Sequence, residues 1–227
     1  MSRIAIRAFG FTILALFLAI SGEVRAAQTA NLAELIAGLG PNGNGTLVEG
    51  DKVFSDFGLF VRTNSGGADA PFAEDIQATT VVIGGNIGLL WNSARWNVDS
   101  GEFMDTGWSY TVTAVGGPLI VDAELGLLSY ATDGTSEIHI TDSLSNGVNL
   151  LVEAPNGPTF DRHVFDPVRM LRVNKNVSLE GHGNGQAALS TFFQTYSQTP
   201  EPSTLATAGL AVVFGLGAWA RRRRTAN

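Results

Sequence analysis

The chain has 227 residues, no cysteine, 27 glycines, 15% charged residues and a formal net charge of −7. That allows one folded domain plus accessory segments, and excludes a disulfide-built miniprotein, a Cys-ligated zinc module and a Cys-nucleophile enzyme. Apolar segments at both ends argue against a cytosolic protein.

At the N-terminus, Arg3 and Arg7 precede an uncharged run from Ala8 to Gly22 that holds Phe9, Phe11, Ile13, Leu14, Leu16, Phe17, Leu18 and Ile20. A membrane span needs roughly 20 residues, so this basic start and short apolar run predict a secretory signal. Val24-Arg25-Ala26 suits a signal peptidase cut before Ala27, which makes residues 1–26 a removable signal peptide. An uncleaved N-terminal anchor is the alternative.

Asn31 to Gly38 predicts a short helix: a capping Asn, Glu34 at the third helical position, apolar Leu32, Leu35 and Ile36, and a glycine stop. The loop Gly40 to Gly45 ends it. Beyond it the apolar pattern has period two: Val53, Phe57, Leu59, Val61; Val81, Ile83; Trp108, Tyr110, Val112, Ala114; Leu119, Val121, Ala123, Leu125; Ile138, Ile140; Val148, Leu150, Val152; Leu171, Val173, Val177, Leu179; Phe192, Tyr196. Such runs, bounded by Gly, Asn, Asp, Ser or Pro, predict half-buried strands of an all-β domain. The expected fold is a single antiparallel β-sandwich of jelly-roll type with a short N-terminal helix. Turns such as Ala114 to Pro118 are expected between antiparallel neighbours, and Gly181 to Gly185 is expected to connect a hairpin.

His139, His163 and His182 are too far apart to form a locally readable metal site, and His139, between Ile138 and Ile140, is expected on a solvent face. No G-x-S-x-G, H-E-x-x-H, P-loop or Rossmann fingerprint is present. Asp99, Glu102 and Asp105 share one loop-like segment, and Asp133 and Asp142 flank the His139 strand. Calcium is the one cofactor these carboxylates suggest, although the spacing is not that of an EF-hand. No other cofactor or metal site is expected. An Asp/Glu glycosidase pair would meet only through the fold. Among Trp91, Trp96, Trp108 and Phe103, core packing is the first expectation. Trp96, between Arg95 and Asn97, is expected to be the most exposed and is the candidate carbohydrate contact.

Near the C-terminus, Pro200-Glu201-Pro202 interrupts any strand or helix and predicts an exposed, extended stalk. Pro202 to Ala220 is uncharged, and Arg221, Arg222, Arg223 and Arg224 follow. As a helix of 1.5 Å rise per residue the run would reach roughly 28 Å, about the hydrocarbon thickness of a bilayer. Its many Gly and Ala residues suit a membrane helix better than an aqueous one. The arginines would stay on the cytoplasmic side, with Trp219 at the interface and the body of the chain outside.

PEP, an apolar span and an arginine cluster, in that order, resemble the PEP-CTERM sorting signal. The resemblance implies recognition by an exosortase, an integral-membrane Cys-dependent processing enzyme of Gram-negative bacteria that make extracellular polysaccharide. The alternative is an ordinary one-pass anchor with a proline stalk. GDKVFSDF (Gly50 to Phe57), WSYTVTAVGGPLIVDAELGL (Trp108 to Leu127) and the ending ALSTFFQTYSQTPEPS are similar to a group of PEP-CTERM proteins of about this size. In GDKVFSDF, Phe54 and Phe57 are expected on opposite faces of a strand.

The chain thus divides into a signal peptide (1–26), an exported β-sandwich (27–199) and a sorting tail (200–227). Seven of the 14 Lys and Arg and two of the 21 Asp and Glu fall outside 27–199, leaving that domain with 7 basic and 19 acidic residues, a net of −12. That sign argues against nucleic acid as a partner. The expectation is an exported, non-enzymatic protein of the cell surface or an exopolysaccharide or biofilm matrix. Its expected partners are signal peptidase and exosortase in transit, the inner membrane through the tail, and extracellular polysaccharide. A carbohydrate-binding module is the runner-up, and a polysaccharide-active enzyme is third.

Overall fold

In the computed structural model of the chain, residues 26–199 are described. The expected signal segment, apart from Ala26, and the sorting tail lie outside them. The elements in order are β1 (Thr29–Asn31), α1 (Leu32–Ile36), β2 (Leu47–Glu49), β3 (Lys52–Ser65), a 3-10 turn (Ala73–Asp75), β4 (Gln77–Ile83), β5 (Asn86–Asn92), β6 (Asn97–Val98), β7 (Phe103–Ala114), β8 (Ile120–Thr132), β9 (Glu137–Leu144), β10 (Asn149–Ala154), β11 (Phe160–Val168), β12 (Met170–Glu180) and β13 (Ala187–Gln198).

The strands form two antiparallel sheets. Sheet I runs β1-β4-β5-β13-β8-β11, with β6 added beside β13, and sheet II runs β10-β9-β12-β7-β3-β2. Hairpins join β2 to β3, β4 to β5 and β9 to β10, β5 and β6 follow one another along β13 in sheet I, and elsewhere the chain crosses between sheets. This is the expected all-β, jelly-roll-like sandwich. The loops at Ala114–Pro118 and Gly181–Gly185 are crossings of this kind, β7 to β8 and β12 to β13, so Gly181–Gly185 is not the hairpin connection expected.

The predicted helix forms for the predicted reasons. Asn31 accepts a bond from the Glu34 amide at 2.8 Å, while the Glu34 carboxylate takes the Asn31 amide at 3.2 Å. At the other end the Gly38 amide bonds to the Leu35 carbonyl and the Leu39 amide to that of Glu34, a Schellman closure that needs the positive φ of 73° at Gly38.

Between the sheets lie Phe54, Trp91, Trp96, Trp108, Tyr110, Phe192 and Tyr196 with Leu, Ile and Val from both layers. Alternation holds along β9, β10 and β12, where Ile138, Ile140, Leu150, Val152, Leu171, Val173, Val177 and Leu179 are buried. It fails along β3. Asp56 and Leu59 adopt φ of 52° and 51°, and the pairing with β7 slips between Ser55 and Gly58 and again between Gly58 and Val61. Each slip inserts a residue and reverses the facing of the residues beyond it. Phe54 and Phe57 therefore share the inner face, where both rings meet Tyr110, while Leu59 and Val61 are exposed. A bulge against Ser197–Gln198 likewise turns Ile120 inward on β8 in place of Leu119 and Val121, and β4 buries Ala78 and Thr80 in place of Val81 and Ile83.

Candidate functional site

The tryptophans are structural. Trp96, expected to be exposed, is 1% accessible. Its carbonyl accepts the Leu189 amide at 2.8 Å, its indole Nε1 donates to Thr106 Oγ1 at 3.1 Å, and its ring stacks on Trp108 with centroids 6.2 Å apart. The polar flanks that suggested exposure belong to the turn that leads into β6: Arg95 and Asn97 are exposed on either side of the buried ring, and Arg95 pairs with Asp69 and Asp75. A ring so enclosed offers no face to a sugar. Trp91 and Trp108 are buried as well, with centroids 4.9 Å apart.

Beside these rings lies a polar cluster that apolar alternation does not reveal. Lys175 on β12 and Asp142 on β9 are cross-strand partners, fully buried, with Nζ donating to Oδ1 at 2.5 Å. Burial drives the Asp142 carboxyl up and the Lys175 ammonium down from their usual ranges, and each is opposed by the other's charge. Tyr110 bridges the sheets: its hydroxyl donates to Gln194 Oε1 at 2.8 Å and accepts from Tyr196 at 2.8 Å. Burial holds both phenols well above their ordinary range. The signal for this cluster is positional, since Asp142 continues the phase of Ile138 and Ile140, and Lys175 stands between Val173 and Val177.

The loop carboxylates Asp99, Glu102 and Asp105 are held by separate partners. Asp99 accepts from Gln186 at 2.7 Å, Glu102 from the Asp99 amide at 2.8 Å, and Asp105 from Asn176 at 2.9 Å. Among the described residues no group of three or more His, Asp or Glu is placed to hold a metal ion. His139 lies on the outer face as expected. Its Nδ1 and Nε2 are each 3.0 Å from a carboxylate, of Glu153 and Glu137 respectively, so both ring nitrogens are engaged. Partial burial works against its protonation, but the two carboxylates outweigh it and hold the imidazole above its usual range.

The outer face of sheet I carries the most elaborate surface arrangement. Phe193 lies across Gly126, where a Cβ would overlap its ring, and Phe160 stands beside it, half exposed, with centroids 6.4 Å apart. One row along, Arg162 donates to Asp122 through Nε at 2.9 Å and also through Nη2, with Glu124 3.4 Å away. Asn86 and Thr195 donate to Glu124 at 3.1 and 2.9 Å, and the Ser197 amide donates to Asp122 at 2.9 Å. The row spans β5, β13, β8 and β11 and sets charged and amide groups beside an exposed aromatic ring.

At the end of β13 the fold closes tightly. The Thr199 amide donates to the Leu119 carbonyl at 2.9 Å, the Leu119 amide returns a bond to Thr199 Oγ1 at 3.1 Å, and Gln198 bonds Asp51. Pro200, Glu201, Pro202 and Arg221 to Arg224 follow, outside the described residues. Among the described residues no helix is long and apolar enough to cross a membrane.

No curated protein matches the chain. Among solved structures it is similar to TmCBM61 in complex with β-1,4-galactotriose, at 13% identity over 61% of this chain and 89% of that one, with a TM-score of 0.28. It is also similar to a family 32 module from C. perfringens NanJ in complex with galactose, at 15% identity over 76% and 100% of the two chains, with a TM-score of 0.21. A family two carbohydrate esterase from Cellvibrio japonicus matches at 15% identity over 63% and 36%, with a TM-score of 0.23. At such scores these likenesses carry no argument about ligand or activity. Residues 198–224, which include the proline and arginine positions singled out from sequence, match the family described as PEP-CTERM protein-sorting motif, and the chain thus carries the sorting signal of an exported protein that exosortase sorts.

Proposed function

We propose that the sandwich is the cargo of this signal: a non-enzymatic domain, exported with a cleaved signal peptide, freed of its tail by exosortase and retained at the cell surface or in an exopolysaccharide matrix. The observation that carries this reading is the junction itself. The matched motif begins at residue 198, the last residue of β13, so the last described strand leads directly into the sorting signal. The test is the intact mass of the protein recovered from producing cells with and without their exosortase. Loss of the tail in the first and its retention to Asn227 in the second is the expected result; an identical C-terminus in both would overturn the reading.

A second reading, carbohydrate binding, is favoured by Phe160. Its half-exposed ring beside Arg162, Glu124 and Asn86 combines an apolar platform with hydrogen-bonding groups, the combination that holds a sugar ring. Under this reading Phe160→Ala abolishes retention on the native polysaccharide and leaves the unfolding midpoint nearly unchanged. Equal retention by both proteins, or by neither, rejects it.

A further inference from the structure

The two ends of the sandwich differ in character. The end where β13 starts carries Glu74, Asp99, Glu102, Asp133 and Glu180, beside Asp69 and Asp75, which are paired with Arg62 and Arg95. At the opposite end, around Thr199, the β7–β8 loop and the β11–β12 corner expose Val115 (54%) and Met170 (60%). Arg169 sits between them and donates to the Ala114 and Gly116 carbonyls at 3.2 and 2.9 Å, its side chain reaching the surface. Of the acids at this end, Glu49 accepts from Thr80 Oγ1 at 3.0 Å, Asp51 is engaged by Lys52 and Gln198, and Asp166 is exposed.

The chain itself says what this end faces. Thr199 is fixed by two hydrogen bonds to Leu119, and the uncharged run of the tail begins at Pro202. The intervening residues, even fully extended, span only about 10 Å. Once the tail is in a bilayer, the end bearing Thr199 is held within that distance of the headgroups. Exposed valine and methionine gain by entering that interface, and an arginine there meets lipid phosphate, whereas the acidic end would be repelled by an anionic surface. Resting on the sorting reading above, we infer that Val115, Arg169 and Met170 form a lipid-contacting face. The domain is thereby docked on the bilayer holding its own tail until that tail is removed.

The absence of cysteine makes the test direct. Full chains carrying Val115→Cys, Met170→Cys or Asp133→Cys are labelled with an environment-sensitive fluorophore and reconstituted into phosphatidylethanolamine–phosphatidylglycerol vesicles containing a headgroup-level spin-labelled quencher. Quenching several-fold stronger at positions 115 and 170 than at 133 is expected. Because the vesicles hold no exosortase, that difference reports lipid contact. Chains that float with the vesicles but are quenched equally at all three positions overturn the docked face and leave the sorting reading standing. Chains that do not float with the vesicles overturn the membrane-spanning tail and the docked face together.

Discussion

Lys175 and Asp142 meet inside a core otherwise dominated by aromatic rings, and Asp142 Oδ2 and Gln194 Nε2 have no protein partner there. Desolvation of two charges offsets most of what their attraction returns, so the pair adds little net stability, yet neither charge tolerates the loss of the other. Lys175→Met should therefore cost about 3–5 kcal/mol, while the double change with Asp142→Leu should recover most of it, as read from urea unfolding of the mature protein. His139 makes the opposite kind of contribution, at the surface. Its folded pKa lies above the unfolded value near 6.5, so its stabilisation is fully present below that value and is lost as pH rises through the raised one. Stability should fall across that window, and His139→Gln should remove that part of the slope in a series of unfolding midpoints against pH.

At the scale of the element, β3 shows where pattern and backbone part company. Its inner face is Lys52, Phe54 and Phe57, a spacing that no alternation generates, because left-handed residues at Asp56 and Leu59 each reset the pleat. Leu59 is 66% exposed, so its side chain contributes little packing to set against that conformation. The left-handed region costs an ordinary residue roughly 1–2 kcal/mol, and glycine loses about 0.5–1 kcal/mol more backbone entropy on folding. Leu59→Gly should thus be stabilising by up to about 1 kcal/mol, an unusual sign for glycine in a strand, checked by denaturant midpoint. The same physics explains what can be read in advance. α1 is legible because Asn31, Glu34 and Gly38 act locally, and β9, β10 and β12 because they lack bulges. On β8 the bulge displaces the inward phase by one residue from the one its alternation suggests. The glycine-rich crossing at Gly181–Gly185 resembles a hairpin because glycine signals a turn without saying which sheet the chain enters next. Polar neighbours make Trp96 look exposed, and the charge of Lys175 hides the inward phase it shares with Val173 and Val177. The Phe160 and Arg162 row has no local signal, since four strands distant in sequence assemble it.

The order of strands gives the whole molecule a late keystone. β13, the last strand, lies between β5 and β8 in sheet I and supplies buried Phe192, Gln194, Thr195 and Tyr196. Before residues 187–198 are available, the three strands β1-β4-β5 and the pair β8–β11 are separate antiparallel units, each with an unsatisfied edge, and the phenol bridge between the sheets lacks one of its two tyrosines. An isolated two-stranded unit such as β8–β11 is marginal in water, and contacts this distant in sequence form late. The tail follows β13 after Thr199, so for an exported chain the sandwich can close only as the sorting signal itself arrives at the membrane. A chain ending at Thr199 retains every described strand pairing and should unfold in one cooperative transition. A chain ending at Ser190 loses all of β13's pairing with β5, and should show no cooperative transition in urea and little protection of the β5 and β8 amides in hydrogen exchange. Cooperative unfolding of the shorter chain would mean that sheet I is organised around its hairpins, and that closure does not wait for the last strand.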